Sequence, residues 1–371
     1  MPIRAQLKSY PLVFNFSMRT SRGSMKEKTS WFIKLWDEAE PEIFGIGECG
    51  PLPGLSIDHT PQLESVLIGL VDMINLRTYS IGDLPKSLED FRGFLKSQFP
   101  LIQFDNYPSV LFALETALLD LLNGGKRLIF ENEFINGQRI PINGLIWMGG
   151  LDFMLQQVEI KIRDGFSCVK LKIGGIDFEK ECDVLQYIRR KYFRDNITIR
   201  LDANGALKPD DALYKLNELA RFKIHSIEQP VKPDSPLLDQ LSSKSPIPIA
   251  LDESLIGITE IDKRIQLLDR VKPQFIIMKP MLHGGFYSCQ EWIRLAVERG
   301  IGWWITSALE SNVGLNAIAQ FTANYPISMP QGLGTGSIYS NNIESPLYVT
   351  KGELHLEPSN SWDFSGISFE S

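Results

Sequence analysis

The stretch Val169-Lys-Leu-Lys-Ile173, followed by Leu201-Asp-Ala-Asn-Gly205, decides the fold. Alternate side chains of a strand share a face, so Lys170 and Lys172 point one way and Leu171 the other. Two lysines on the inner face of a strand demand partners or a function, because an ammonium removed from water is costly. Asp202 and Asn204 share a face in the same way. Further along, Glu228 ends Ile227-Glu-Gln-Pro230, Asp252 ends the strand in Ala250-Leu-Asp-Glu253, and Lys279 ends Ile276-Ile-Met-Lys-Pro280. Each successive short apolar segment terminates in an ionisable group.

Working outward, the segments Ile140 to Ile146, Cys168 to Ile173, Thr198 to Asp202, Ser226 to Glu228, Ile249 to Asp252, Phe275 to Lys279 and Gly302 to Thr306 read as strands. Amphipathic stretches separate them. Their spacing of roughly 24 to 30 residues fits one strand, one helix and two loops, which parallel pairing requires. Seven or eight such units close a barrel. The predicted fold is therefore α/β, a TIM-type barrel over residues 136–336, with a second, α+β domain from 1–135 completed by 337–371.

In the N-terminal part, alternation up to Trp36 predicts an antiparallel sheet. Ser17 to Ser30, with Met25 inside it, reads as a loop between its first two strands, an inert connection or a mobile flap. Val110, Leu111, Leu114, Leu118 and Leu121 fall at helical spacing, and Gly124-Gly125 stops the helix predicted over Pro108 to Asn123. Near the end, Leu347 to Thr350 and Glu353 to Leu356 flank Lys351-Gly352 as a hairpin expected to return to the N-terminal domain.

The 371 residues carry 38 basic and 45 acidic side chains, a net charge of −7, so no positive field exists to hold nucleic acid or an anionic membrane. Cys49, Cys168, Cys182 and Cys289 form no CxxC pair, which reads as free thiols in a reducing compartment. With no apolar run of membrane-spanning length and no signal core, a cytoplasmic protein is expected.

At the C-terminal ends of barrel strands the ionisable groups converge on one volume. Asp202, Glu228 and Asp252 sharing it need a hard dication, and Mg²⁺ suits oxygen ligands, with Mn²⁺ an alternative. Lys170 and Lys172 on one side and Lys279 on the other would flank a metal-held substrate carboxylate, an arrangement suited to removing a proton from the neighbouring carbon. A free lysine titrates near ~10.4, so a base needs that value lowered, and a second ammonium with a metal supplies such a shift. Asn204 and Glu253, the latter facing away from the site, read as supporting groups. His59, His225, His283 and His355 follow no metal-binding spacing and read as structural or surface, with a place at the pocket mouth left open as the alternative for His283. Of Trp303 and Trp304, one is expected in the core and one in the pocket. Gly332-Leu-Gly-Thr-Gly336 lacks the lysine and helix start of a nucleotide loop, yet its amides suit a carboxylate.

The series Lys-x-Lys, Asp-Ala-Asn-Gly, Ile-Glu-Gln-Pro, Asp-Glu-Ser and Met-Lys-Pro resembles the enolase superfamily, in its muconate-lactonising subgroup. The resemblance implies a modified (β/α)7β barrel with a cap from both chain ends. It implies Asp202, Glu228 and Asp252 as metal ligands, Lys172 as the base, Lys170 tuning it, Lys279 opposite, and Ser17 to Ser30 as a specificity flap. Gly47-Glu-Cys-Gly-Pro-Leu-Pro-Gly54, Ile142-Asn-Gly-Leu-Ile-Trp147 and Ser307-Ala-Leu-Glu-Ser311 are most similar to members that dehydrate 2-succinyl-6-hydroxy-2,4-cyclohexadiene-1-carboxylate in menaquinone synthesis. On that reading Ser307, Gly332, Gly334 and Met25 contact the substrate.

N-succinylamino acid racemisation needs the same groups and remains a rival. Dipeptide epimerisation ranks lower, because no Asp-x-Asp stands between Trp304 and Gly336. A non-catalytic binding barrel is the reading of another class. Intact Lys172, Lys279 and three carboxylates argue against it.

Overall fold

The computed structural model describes residues 1–20 and 23–369, with the backbone alone at 17–20. Three antiparallel strands, β1 (Ile3–Thr20), β2 (Gly23–Asp37) and β3 (Phe44–Cys49), form an N-terminal sheet. Helices α1 (Leu63–Asn75), α2 (Leu88–Gln98) and α3 (Pro108–Leu122) follow, and α3 packs on the sheet. Proline at its first position costs α3 no hydrogen bond, and nearly all its residues are buried. It approaches β3 so closely that a Cβ on Gly45 or Gly47 would overlap the carbonyl oxygens of Ala117 and Ala113.

After β4 (Ile140–Pro141), seven parallel strands follow in spatial order: β5 (Gly144–Ile146), β6 (Cys168–Lys172), β7 (Thr198–Asp202), β8 (Ser226–Glu228), β9 (Ile249–Leu251), β10 (Phe275–Met278) and β11 (Gly302–Ile305). Their connections are α4 (Leu151–Arg163), α5 (Phe178–Lys191), α6 (Ala212–Ala220), α7 (Leu238–Lys244), α8 (Ile261–Val271), and the pair α9 (Pro280–His283) and α10 (Gly285–Glu298). Helix α11 (Asn312–Thr322) follows β11. Gln331 and Gly332 close the ring. Gln331 bridges in parallel to Ile142 and Gly332 to Thr306, so these two residues stand between β11 and β5 as an eighth strand. The modified TIM barrel with its cap is the fold, and its core is the apolar shell between strands and helices.

Three expectations change. The predicted strand Ile140 to Ile146 divides, because Ile140–Pro141 pairs outside the barrel with the C-terminal hairpin, β12 (Leu347–Thr350) and β13 (Glu353–Leu356). That hairpin therefore takes β4 as its sheet partner, whereas Ile343 and Ile367 pack on Phe32 and Ile46 of the N-terminal sheet. The segment Ser17 to Ser30 is largely strand rather than loop. Met18 pairs with Met25 and Thr20 with Gly23, extending β1 and β2 into a hairpin arm, while residues 21 and 22 lie outside the described residues.

Candidate active site

Strand register assembles the site. Lys172 pairs with Asp202, Asp202 with Glu228, and Glu228 with Ala250, so three ionisable groups on adjacent strands stand level at their C-terminal ends. Asp252 lies two residues beyond Ala250 and shares its face. Lys279 follows β10 directly, and His283, one helical turn on, accepts its backbone N–H through Nδ1 at 3.1 Å.

The lysines and carboxylates interlock. The Lys170 ammonium lies 2.7 Å from Glu228 and 3.1 Å from Asp202. Lys172 lies 3.0 Å from Asp202 and donates to Asn204 Oδ1 at 2.8 Å, and Lys279 pairs with Asp252. Burial alone would lower Lys170 and Lys279, but the carboxylates outweigh it and raise both above the ordinary lysine range. Burial pushes Asp202 up, yet Lys170 and Lys172 pull its carboxyl far below the usual value. Burial dominates at Glu228, which is raised to about 7 despite Lys170.

The donor set fits a hard dication. Asp202, Glu228 and Asp252 offer only oxygens, and Glu228 Oε1 and Asp252 Oδ1 are buried without a hydrogen-bond partner. As placed, the lysine ammoniums compensate these acids, and among the described residues no three such groups stand at ion-holding distances.

A cavity of about 490 Å³ opens over this row. Lys170, Lys172, Asp202, Asn204, Glu253, Lys279, Ser307, Gly332, Gly334 and Met25 all line it, so the residues singled out from sequence share one space. Glu228 and Asp252 lie beneath. Phe16 of the hairpin arm meets Trp147 at 6.0 Å between ring centres, and both line the cavity with Met25.

Three readings need correction. Glu253 does not face away: β9 ends at Leu251, a 3-10 turn begins at Glu253, and strand alternation lapses there. Its carboxylate accepts from Asn204 Nδ2 at 2.9 Å on the cavity wall. His283 lines a different cavity, beside Arg92 and Arg264, and burial holds its ring neutral, at about 3. Neither tryptophan lines the cavity over the carboxylate row. Trp304 fills the barrel floor against the Arg200 guanidinium, and Trp303 turns outward onto Tyr325. Ser307 reaches the cavity with its hydroxyl engaged, donating to Glu310 and accepting from Leu309 N–H at 3.1 Å and Thr335 at 2.7 Å.

Gln229 had no role assigned. Fully buried, it receives the backbone N–H groups of Asp252 at 3.3 Å and Ser254 at 3.1 Å and donates to Ser254 Oγ at 2.8 Å, fixing the turn that carries Asp252. Its φ of +37° and its position beside Glu228 in Ile-Glu-Gln-Pro were the available signals.

Residues 154–359 match the family model described as "Enolase C-terminal domain-like". The chain belongs to the enolase superfamily. It is 45% identical over 358 residues to the o-succinylbenzoate synthase of Desulfotalea psychrophila, covering 92% of this chain and 96% of that protein. The crystal structure of MenC from Desulfotalea psychrophila superposes with a TM-score of 0.85 at 42% identity, covering 96% of this chain and all of that one. The same superfamily fold recurs in a dipeptide epimerase from Enterococcus faecalis, solved with Mg and L-Leu-L-Tyr. There the TM-score is 0.80 at 20% identity, covering 96% and 97% of the two chains.

Proposed function

We propose that this enzyme dehydrates 2-succinyl-6-hydroxy-2,4-cyclohexadiene-1-carboxylate to 2-succinylbenzoate, an aromatising step of menaquinone synthesis. The observation carrying the reaction class is the level row Lys172, Asp202 and Glu228, with Lys279 and Asp252 beside it, under one cavity that Lys172, Asp202 and Lys279 line. The similarity to an o-succinylbenzoate synthase directs the choice of substrate.

Asp202, Glu228 and Asp252 would hold the metal, Mg²⁺ or Mn²⁺, which when bound lowers the cost of negative charge developing on the substrate carboxylate. Lys172 takes the proton from the carbon beside that carboxylate, leaving an enediolate. Held by Asn204, the resulting ammonium then returns the proton to the departing hydroxide, so one residue serves both half-steps. Lys279 stays charged and balances the enediolate, and Lys170 keeps a second positive charge near the base. Glu253 orients Asn204, and Ser307 shapes the wall with Gly332 and Gly334. The hairpin arm carrying Phe16 and Met25 covers the cavity.

The chain acts as a barrel over 136–336 beneath a cap formed by 1–135 and 337–371. Its partner is a small carboxylate rather than nucleic acid or membrane. Among the described residues no helix is long and apolar enough to cross a membrane, in keeping with a cytoplasmic enzyme.

The test follows loss of cyclohexadiene absorbance with purified protein and Mg²⁺, before and after chelation, beside polarimetry of N-succinylamino acids. Chelator-sensitive dehydration supports the reading. Racemisation without dehydration replaces the substrate but keeps the site, and neither activity sinks the enzyme reading.

A further inference from the structure

Four lysines line the cavity, and three are engaged by acids: Lys170 with Asp202 and Glu228, Lys172 with Asp202, Lys279 with Asp252. The fourth is Lys161 of α4. It is half-buried, and among the described residues its ammonium has neither a carboxylate at ion-pair distance nor a hydrogen-bond acceptor. It lies over the Phe166 ring, 4.9 Å from the centre. Asp164, three residues on, acts on it only through space and is held by Arg163 at 3.4 Å, and Glu159, two residues back, is engaged by Lys191.

The position of Lys161 is built. Its stem lies along β5 at Gly144, where a Cβ would come within 3.0 Å of its Cγ, so glycine permits the approach. Gly144 pairs with Val169 and Leu145 with Lys170. Gly144 and Val169 face the helices while Leu145 and Lys170 face the barrel interior, so Lys161 approaches the cavity wall from the helix side of β5, level with Val169. Leu145, Trp147 and Phe166 give that part of the cavity an apolar lining suited to methylene groups. Burial lowers the Lys161 ammonium, the response of a cation short of solvent and of an anion.

We propose that Lys161 seats a second carboxylate, at the far end of the substrate's succinyl arm, and so selects substrates carrying an anion at both ends of the cavity. This rests on the succinylated substrate argued above. The carboxylate row takes one end of such a molecule through its metal, the apolar wall takes the arm, and the uncommitted ammonium takes the other end. A monocarboxylate of the same shape would leave Lys161 as it stands, over Phe166.

The experiment compares 2-succinylbenzoate with 2-butyrylbenzoate, which carries a methyl group in place of the distal carboxylate, as inhibitors and by calorimetry. Wild-type protein and Lys161→Met are both loaded with Mg²⁺. Wild type is expected to prefer the dicarboxylate by roughly tenfold to a hundredfold. Lys161→Met should lose most of that preference while binding 2-butyrylbenzoate unchanged, with KM raised about tenfold and kcat within about twofold. Lys161→Arg should recover much of the preference. Circular dichroism checks that the variants are folded. A Lys161→Met protein that keeps the full preference overturns the proposal alone, whereas a wild type that neither dehydrates nor binds succinylated compounds overturns the functional reading with it.

Discussion

Lys172 and Asp202 are direct cross-strand partners at the ends of β6 and β7, and the Lys172 ammonium lies 3.0 Å from Asp202 Oδ2. The base and a metal-binding carboxylate thus share one rung of the barrel, held there by backbone pairing rather than by loops. Replacing the lysine should remove chemistry without dismantling the metal site. Lys172→Ala is expected to lower kcat by about 10³-fold or more while Mg²⁺ affinity measured by calorimetry stays within about threefold. Substantial residual turnover would remove Lys172 from the role of base.

Glu228 Oε1 and Asp252 Oδ1 are buried oxygens without hydrogen-bond partners, at a cost that a bound cation relieves. Mg²⁺ is therefore expected to raise the melting temperature, and chelation to reverse it. Asp252→Asn should weaken Mg²⁺ binding at least ~10-fold, with activity partly restored by excess metal. Equal thermal stabilisation of wild type and variant would place the ion elsewhere.

The barrel rhythm was legible because parallel strands buried on both faces read as short apolar runs, and because Lys170, Lys172, Asp202, Glu228 and Asp252 obey strand alternation. Thr198–Asp202 and Ser226–Glu228 have the same limits in sequence and structure. Legibility stopped where alternation stopped. Glu253 sits two residues past a strand end, where a turn resets side-chain direction, and Ile140–Pro141 pairs with a hairpin more than 200 residues away. The arm around Met25 was polar enough to resemble a loop, because a hairpin that projects from a sheet lacks a buried face. Lys161 gave no signal, since a lysine on a helix is ordinarily a solvated one.

Glu115 of α3 is fully buried and accepts the backbone N–H of Phe286 at the start of α10, with Arg92 Nε 3.3 Å away. Burial raises it from 4.5 to about 7, against Arg92 and the amide donors. A raised folded-state value means that the stability it contributes is fully present below the unfolded value of 4.5 and is lost as pH rises through about 7. Denaturant unfolding should show this as a loss of up to about 3 kcal/mol between pH 4.5 and 8. Glu115→Gln, neutral throughout, should flatten that part of the curve. An unchanged slope would assign the effect to other groups.

Gly47 faces α3 so closely that a Cβ would overlap the Ala113 carbonyl oxygen. Backbone cannot yield as a flexible side-chain tip can, so Gly47→Ala should force α3 and β3 apart and cost about 3 kcal/mol or more. Thermal melting reads the loss. Because the site is built on barrel strands, kcat at low temperature should stay within about twofold; a collapse of kcat in folded protein would show that the cap shapes the chemistry directly.

Gln229 binds the backbone N–H groups of Asp252 and Ser254 through one carbonyl oxygen, and its amide donates to Val231 O at 2.9 Å and to Ser254 Oγ at 2.8 Å. These contacts hold the turn by which Asp252 leaves β9. Gln229→Ala would strand two buried amides, at about 1–3 kcal/mol each, and release the turn. A purely structural role predicts lower stability with unchanged metal affinity. A positioning role predicts, in protein still folded at low temperature, Mg²⁺ affinity reduced about 10-fold or more and kcat reduced with it, because the carboxylate no longer points at the ion. Gln229→Glu keeps the acceptor oxygen but loses the amide donor, and should recover part of the affinity if acceptance from Asp252 N–H is the decisive contact. Calorimetry of Mg²⁺ binding to the three proteins separates these outcomes, and equal affinities in all three would reduce Gln229 to a packing residue.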